Sequence, residues 1–242
     1  ETAATQTEVE EQVDLMYSLI HQQVDAIVLV PIDSKALVQP VVEAVRKGVP
    51  IINIDIRLNT QLLEQAGVEV AFVGPDNFAA AYEVGKLLDK KLRNEDKVAI
   101  IEGLAAADNA QQRKRGFIKA IEEKGLRLVA SEPADWETEK AAEVFQAMWM
   151  RYPDLKAVYC SNDAMALGVL QQMQEKNCYL PVVGFDNDAV MKEFLSTGKL
   201  VATADIFSSQ MAVRGIEFAL DVLEGKIENR GVHSTAYEII KQ

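Results

Sequence analysis

The sequence is poor in the residues from which metal centres and histidine-based catalytic sites are built. It contains only two histidines, His21 and His233, among 242 residues, which gives little basis for a zinc cluster or a Ser-His-Asp triad. The spacing of Asp186 and Asp188 is similar to that of a calcium loop, but the glycine and the distal glutamate of such a loop are missing. A glycine-rich phosphate loop of the Walker or dinucleotide type is missing as well. We therefore expect no metal site and no cofactor.

Cysteines are equally scarce, and the two present are badly placed for a disulfide. Cys160 lies at the end of one predicted strand, and Cys178 lies before the start of the next. Parallel strands would put them at opposite edges of the sheet, farther apart than the Cα spacing of a disulfide allows. We predict two free thiols, which leaves the redox compartment open.

An excess of basic charge and a long apolar run are also missing. The chain carries 25 Lys and Arg against 37 Asp and Glu, a formal net charge of −12. It therefore lacks the basic surface that binds nucleic acid or an anionic membrane. No uninterrupted apolar run is long enough to cross a bilayer, and residues 1–6 do not resemble a signal peptide. We expect no nucleic-acid partner and no direct membrane insertion; if the protein is exported, its signal has been removed.

What the chain does have is a regular alternation of apolar strands and amphipathic helices. With 49% hydrophobic residues, it can bury a large core as one domain or as two lobes. Asp33 or Ser34 is expected to cap the second helix, and Asp76 or Asn77 the third, while residues 57–69 are predicted as a polar excursion. The alternation predicts a doubly wound α/β fold with right-handed crossovers. The strands are predicted at residues 26–30, 50–55, 70–73, 98–101, 127–131, 156–160, 180–185, 200–206 and 235–240.

Two strand-to-helix junctions concentrate polar residues where a ligand would bind. The strands that end near Cys160 and Phe185 are followed by Asn162, Asp163 and Asp186. In open parallel sheets, ligands bind outside the carboxyl ends of the strands. We predict that Asp163 caps the helix beginning at the next residue, which leaves Asn162 and Asp186 for a ligand.

Several motifs together resemble the ribose and galactose type of bacterial periplasmic solute-binding proteins. The likeness covers nearly the whole chain in order, and the combination is specific although each motif alone is weak. The lactose-repressor type of regulator shares the same core fold. The motifs are Val24 to Asp33, Asp76-Asn77, Arg113 with Gly116-Phe117, Ala134-Asp135-Trp136, Ser161 to Gly168, Gly184-Phe185-Asp186 and Gly198 to Thr203.

The resemblance implies two doubly wound parallel-sheet lobes joined by a hinge of three crossing strands. A sugar would be buried between the lobes, which would close over it. Mapped onto this sequence, the N-terminal lobe comprises residues 1–75 plus 207–235, and the C-terminal lobe comprises residues 76–206 plus 236–242. Such a protein binds and releases its ligand and is not an enzyme.

The resemblance also implies a set of sugar contacts: Asp55, Arg113, Trp136, Asn162 and Asp186. Two positions depart from the family pattern. An arginine normally follows the aspartate directly, but here that position is Ile56 and the arginine is Arg57. The hinge glutamine is replaced by Ile206, preceded by Asp205. Because one step along a strand turns a side chain to the other face, the pattern does not specify ribose. Arg57 and Asp205 complete the candidate set.

The chemistry of these candidates suits a sugar. Carboxylates accept hydrogen bonds from hydroxyls, an arginine donates several, an asparagine does both, and an indole covers the apolar C–H face. Structural roles remain open: Arg113 could pair with Glu102 or neighbouring acids, Trp136 could pack on the surface, Asp205 could make a hinge hydrogen bond, and Arg57 could be a solvated charge. Two carboxylates across a cleft are also typical of glycosidases, so Asp55 and Asp186 leave a hydrolase as a minor alternative.

The front of the chain departs from the family pattern. Family members begin with a strand, a helix and a second strand before the counterpart of residue 1, and that first strand lies in the middle of the N-terminal sheet. We therefore expect the chain to be a fragment of a longer product, or its upstream segment to be missing from this sequence or contributed by another chain.

The favoured function is that of a periplasmic or extracytoplasmic receptor, a monomer, that delivers a monosaccharide or polyol to an ABC transporter permease or to a chemotaxis sensor. Two alternatives remain. One is the effector-binding core of a lactose-repressor-type regulator, and the other is the sensing module of a kinase or chemoreceptor.

Overall fold

A computed structural model describes residues 8–241, except for the side chain of Asp89. Their contacts divide into two compact units. Unit 1 contains the described residues up to Pro75, together with Ala106–Asn109 and Phe207–Ala236. Unit 2 contains Asp76–Ala105, Ala110–Ile206 and the described residues from Tyr237 onward.

Unit 1 is built on a parallel four-stranded sheet in the order β1-β2-β3-β9. Its strands are β1 (Ile27–Leu29), β2 (Ile51–Ile54), β3 (Ala71–Pro75) and β9 (Val232–Thr235). Its helices are α1 (Val9–His21), α2 (Val38–Arg46), α3 (Thr60–Gln65) and α9 (Ser208–Leu223).

The core of unit 1 is unequal on the two faces of the sheet. One face packs against α1 and α2, where Met16, Ile20 and Val41 are buried with Ile51 of the sheet. The helical spacing of apolar residues in α1 thus correctly predicts its buried side. The other face has a smaller cluster, in which Ala219 of α9 lies with Ile52, Ile54 and Val73 of the sheet.

The outer side of α9 is apolar and exposed. Val213, Ile216, Leu220 and Leu223 recur at helical spacing and are 54%, 55%, 53% and 46% exposed, respectively. We call these four residues the α9 stripe. Single exposed apolar residues are ordinary, but a continuous row of this kind on one helix marks a surface suited to contact with another protein segment.

Unit 2 contains a six-stranded sheet in the order β10-β8-β7-β6-β4-β5, parallel except for β10, which runs antiparallel to β8. Its strands are β4 (Lys97–Glu102), β5 (Arg127–Pro133), β6 (Ala157–Cys160), β7 (Val182–Val183), β8 (Leu200–Asp205) and β10 (Glu238–Lys241). Its helices are α4 (Asn77–Gly85), α5 (Asp108–Lys124), α6 (Thr138–Arg151), α7 (Asp163–Glu175) and α8 (Lys192–Ser196), with the first two residues of α5 counted in unit 1. Short 3₁₀ turns lie at Leu88–Lys91 and Ala189–Met191.

The predicted fold class, α/β with parallel sheets, is confirmed, but three local predictions are wrong. The polar excursion at 57–69 contains α3, which Asn59 caps by accepting a hydrogen bond from the Leu62 N–H at 2.9 Å. The single closing strand is two strands, β9 and β10, one in each sheet. Neither Asp33 nor Ser34 caps α2, because that helix begins only at Val38.

Two further expectations concern membrane-spanning helices and the two cysteines. Within residues 8–241, no helix is both long enough and apolar enough to cross a bilayer. Cys160 is buried and Cys178 is partly buried, and both are free thiols, as predicted.

Candidate functional site

The candidate site of unit 2 lies at the carboxyl ends of its parallel strands. β4 ends at Glu102, β6 at Cys160, β7 at Val183 and β8 at Asp205. Since these strands are parallel, the segments that follow them emerge at the same edge of the sheet. The polar residues of the predicted site follow these strand ends or come from the neighbouring helix α5.

Arg113 is the centre of this arrangement. Its side chain is 3% exposed, which is unusual for an arginine and requires that its N–H groups find acceptors. The Nε group donates to Asn77 Oδ1 at 2.9 Å, and Nη1 donates to the Ser161 carbonyl at 2.8 Å and to Asp186 Oδ1 at 3.3 Å. These bonds use Nε and Nη1, and a guanidinium carries five N–H donors, so donors beyond these can serve a ligand.

Two aromatic rings accompany the Arg113 guanidinium. Its central carbon lies 3.8 Å from the centroid of the Phe185 ring and 5.4 Å from that of Trp136. The Trp136 indole also lies against Gly103, where an added Cβ would meet the indole at 2.1 Å. Gly103 therefore makes room for the indole, and stacking on the rings holds the guanidinium plane in one orientation.

Glu102 is not the partner of Arg113. Glu102 instead accepts from Lys114 Nζ at 2.7 Å and from the Ser131 hydroxyl at 2.5 Å. Arg113 is thus committed to Asp186, and Lys114 neutralises the nearly buried Glu102.

The turn that carries Asp186 is held in a backbone conformation that L-residues rarely adopt. Asp186 has φ 108° and Asn187 has φ 60°. Such positions cost about 1–3 kcal/mol each and persist only where the surroundings hold them, which is typical of functional sites. The Asp186 N–H donates to the Ala204 carbonyl of β8 at 2.7 Å, and this bond fixes the turn against the neighbouring strand.

Asp205 joins the same network through Asn187. The Asn187 side-chain amide donates to Asp205 Oδ2 at 2.9 Å, and its backbone N–H donates to Thr203 Oγ1 at 3.2 Å. Asp205 thus makes a structural hydrogen bond, which is one of the roles that the sequence leaves open for it. It does so next to the candidate ligand residue Asp186.

The capping residue of α7 differs from the prediction. Asn162 caps α7, because its Oδ1 accepts from the Met165 N–H at 2.9 Å and the helix begins at Asp163. The prediction that Asp163 is the cap is wrong. Capping uses the oxygen of the Asn162 side chain, while its NH₂ group is a donor of the kind that a sugar hydroxyl accepts.

Asp163 is a fully buried carboxylate. Its Oδ2 accepts from the Asp188 N–H at 2.9 Å, and the Thr203 hydroxyl lies 2.9 Å from Oδ1 and 3.1 Å from Oδ2. Burial raises the pKa of Asp163 to about 7, against the lowering effect of these hydrogen bonds and with a smaller raising effect from the Asp188 charge. A carboxyl group that titrates near neutrality therefore lies directly beneath the Asp186 turn.

In unit 1, Asp55 and Arg57 follow the carboxyl end of β2. Asp55 has φ 61°, and its N–H donates to the Val73 carbonyl at 3.2 Å. Buried Asn53 shapes this turn, since its side chain donates to the Ile56 carbonyl at 2.8 Å and accepts from the Leu58 N–H at 2.8 Å.

Arg57 is packed against an aromatic ring. Its guanidinium carbon lies 5.5 Å from the centroid of the Phe72 ring, and the side chain lines an open cavity of about 560 Å³ beside α3 and β9. A solvated charge alone does not describe this position, because the ring and the half-buried setting constrain the side chain.

The structure brings together the five predicted residues that belong to unit 2. Arg113 contacts Asp186 and Trp136, Asp205 is linked to the Asp186 turn, and Asn162 follows the Ser161 carbonyl that Arg113 binds. Sequence reasoning assigned no supporting role to Asn53, Asn77, Phe185 and Asn187, although Asn77 and Phe185 stand in the motifs that carry the resemblance. For Asn53 the signal was an asparagine within an apolar strand, because a buried amide requires partners.

A family model and a known relative both match this chain over most of its length. The family model described as periplasmic binding protein domain matches residues 1–227. A D-ribose/D-allose-binding protein of Pseudomonas aeruginosa is 40% identical over 97% of this chain and 75% of its own length.

Two solved structures are similar over nearly the whole chain. An ABC transporter solute-binding protein from Burkholderia multivorans is 38% identical with a TM-score of 0.94, covering 100% of this chain and 86% of the other. An ABC transporter periplasmic solute-binding protein from Actinobacillus succinogenes with bound D-allose is 32% identical with a TM-score of 0.89, covering 96% of this chain and 84% of the other.

Proposed function

Because the chain belongs to the periplasmic binding protein domain family, a family of binding proteins, we propose that it is a sugar receptor. It captures a monosaccharide and delivers it to an ABC transporter. The observation that carries this proposal is the Arg113–Asp186 pair, 3.3 Å apart at the carboxyl ends of the unit 2 strands. Donor and acceptor are held there in fixed orientations by Phe185 and by the strained turn.

The groups around this pair match the surface of a sugar. Asp186 and Asp205 accept hydrogen bonds from hydroxyls, Arg113 and Asn162 donate, and Trp136 offers an apolar ring face to C–H groups. Asp55 and Arg57 supply the same two functions in unit 1. We propose that a ligand touching both sets shifts the population of unit arrangements toward a closed one.

We further propose that the sugar has the ribo arrangement of hydroxyls at C2, C3 and C4. D-ribose and D-allose share this arrangement, and relatives are named for binding these two sugars. A site of oriented buried polar groups discriminates against an epimer, because one displaced hydroxyl leaves a partner unsatisfied. Because Ile56 stands where the family pattern has an arginine, we favour D-allose over D-ribose.

The proposed partner is the membrane permease of an ABC transporter and the proposed place of delivery is the periplasm, and the name of a similar structure, an ABC transporter periplasmic solute-binding protein, supports both. The receptor works as a monomer that binds one sugar. A chemotaxis sensor is a second possible recipient of the loaded protein.

Calorimetric titration with a sugar panel tests this proposal. The panel pairs D-ribose with its epimers D-arabinose and D-xylose, and D-allose with its epimer D-glucose. We expect heat of binding for D-allose or D-ribose and at least tenfold weaker binding of the epimers. Flat titrations across the panel, with a protein that circular dichroism shows to be folded, would contradict the assignment.

Asp186→Ala is expected to abolish the heat of binding. Asp188→Ala is the matched control, because it removes an exposed carboxylate two residues away and leaves the Asp188 N–H in place. If both variants weaken binding equally, the net charge of the turn matters and a direct contact by Asp186 is refuted.

A further inference from the structure

One buried acid near the site has no part in the proposed sugar contacts. Asp163 is 0% exposed, and its carboxylate is bound by groups from two other segments of unit 2. These are the Asp188 N–H at 2.9 Å and the Thr203 hydroxyl of β8, 2.9 Å from Oδ1. Burying a carboxylate is costly, so a position of this kind needs a compensating role.

The Asp163 backbone binds the same turn from its other end. Its N–H donates to the Phe185 carbonyl at 2.7 Å. One residue thus holds the segment immediately before Asp186 through its main chain and the segment two residues after it through its side chain. Thr203 adds a third bond, since its Oγ1 accepts from the Asn187 N–H at 3.2 Å while its O–H donates to Asp163.

These bonds explain how two successive residues can stay at positive φ. The unfavourable φ values of Asp186 and Asn187 persist only if the surrounding bonds over-determine the turn. Asp186 in turn directs its carboxylate to Arg113. We propose that Asp163 is a positioning residue, which sets the orientation of the Asp186 carboxylate toward the sugar without touching the sugar itself. This inference rests on the proposed sugar-binding function.

Gly184 supplies an independent way to move Asp163. A Cβ added at Gly184 would lie 2.0 Å from Asp163 Oδ1, whereas its nearest approach to Ala166 would be 3.5 Å. Gly184→Ala therefore displaces the carboxylate without changing Asp163 or Asp186. In Asp163→Ala the obstructing oxygen is gone, so the added methyl group fits more easily.

The first test compares Asp163→Ala with Asp163→Asn by calorimetric titration of the sugar that the wild type binds. The asparagine oxygen can accept from the Asp188 N–H, and its NH₂ group can donate to Thr203 Oγ1, so the turn keeps both supports. We expect Asp163→Ala to weaken affinity about tenfold or more and Asp163→Asn to stay within about threefold of the wild type. Equal affinity of Asp163→Ala and wild type overturns the proposal, and so does an equal loss in both variants.

The second test is a double-mutant cycle with Gly184→Ala. We expect Gly184→Ala alone to weaken affinity in the wild type and to add almost nothing in Asp163→Ala. Additive losses would show that Gly184 acts independently of Asp163 and would overturn the proposal. Thermal unfolding of each variant establishes that a folded protein is titrated, and the Gly184 arm remains informative if Asp163→Ala fails to fold.

Failure of this inference is distinguishable from failure of the proposed function. If the wild type binds no sugar of the panel, the function is refuted. If the wild type binds sugar and the variants at residues 163 and 184 bind it equally well, only the positioning role is refuted.

Discussion

Arg113 couples the stability of unit 2 to its binding chemistry. The side chain is almost completely buried, stacks on Phe185 and donates to Asn77, Ser161 and Asp186. A lysine has a point charge and a flexible stem, so it reproduces neither the stacking nor the fixed fork of donors. The position therefore requires arginine for packing as well as for charge.

We expect Arg113→Lys to lower the free energy of unfolding by about 2 kcal/mol, because buried acceptors lose their donors. Urea denaturation followed by circular dichroism measures this change. Arg115→Lys is the control, since Arg115 is exposed on the same helix and should change stability by less than about 0.5 kcal/mol. Equal stability of the Arg113→Lys variant and the wild type would refute the packing role.

Asp163 predicts a pH dependence of stability. Burial raises the pKa of Asp163 in the folded protein to about 7, above its ordinary value of 3.8, so between these values the folded protein keeps a proton that the unfolded chain releases. The contribution of Asp163 is fully present below about pH 4 and is lost as pH rises through 7, at about 1.4 kcal/mol per pH unit. Neighbouring Asp188 opposes ionisation, while the hydrogen bonds from Thr203 and the Asp188 N–H favour it.

The measurement is the difference in unfolding free energy between wild type and Asp163→Asn from pH 4 to pH 8. We expect the stability of the wild type, relative to the variant, to fall across this interval. Cys160 is also buried near Asp163, but burial raises its pKa well above its usual value, so it does not titrate in this range. A difference that is independent of pH would show that Asp163 has an ordinary pKa.

For individual residues, the sequence predicts which residue types form the site better than it predicts which groups they contact. The sequence correctly placed a capping residue at the start of α7, but it named Asp163, whereas Asn162 is the cap; the ligand contact of Asn162 stays a prediction. Both can cap a helix, and the choice depends on which side chain meets buried groups from Thr203 and Asp188, far away in the chain. Supporting residues such as Asn77 and Phe185 are invisible for the same reason, because only the fold brings them to Arg113.

Among the elements, α6 and α7 show how closely two helices of unit 2 approach. A Cβ added at Gly168 of α7 would lie 2.0 Å from the Thr138 carbonyl oxygen at the start of α6. Glycine is therefore needed for close contact with backbone and not for an unusual φ.

Gly168→Ala sets two effects against each other. Helix propensity favours alanine by about 1 kcal/mol, whereas overpacking against backbone costs about 1–3 kcal/mol. Because a carbonyl oxygen cannot move aside as a flexible side chain can, we expect a cost at the upper end of this range and hence a net loss of up to about 2 kcal/mol in urea denaturation. The control Gln171→Ala, at an exposed position of α7, should be neutral or slightly stabilising, and a stabilised Gly168→Ala would contradict the packing argument.

Elements with strong periodicity were predicted well, and short ones were not. The longer helices α1, α5, α6 and α7 each bury a regular apolar row, which is the pattern that predicts an amphipathic helix. The six-residue helix α3 has too few turns to show such a row. β9 and β10 were merged because the sequence carries no strong break between two short strands that belong to different sheets.

For the molecule as a whole, the resemblance predicted more than periodicity did. Alternating strands and helices suffice for a parallel α/β fold, but the family identity followed from motifs in a fixed order. The sequence could not give the orientation of Arg57 over Phe72, since one extra residue after Asp55 changes both the face and the turn.

The exposed apolar residues of the α9 stripe provide a test of the proposed monomeric state. Burying its four side chains against a second copy would be favourable, at roughly 25 cal/mol per Å² of apolar area. For the proposed monomer we expect the weight-average mass in sedimentation equilibrium to be independent of concentration, and a rise in the wild type that Ile216→Glu suppresses would refute the monomer and identify the stripe as the contact surface. Val190→Glu, which changes an exposed apolar residue of unit 2, is the control; equal behaviour of the two variants would exclude the stripe.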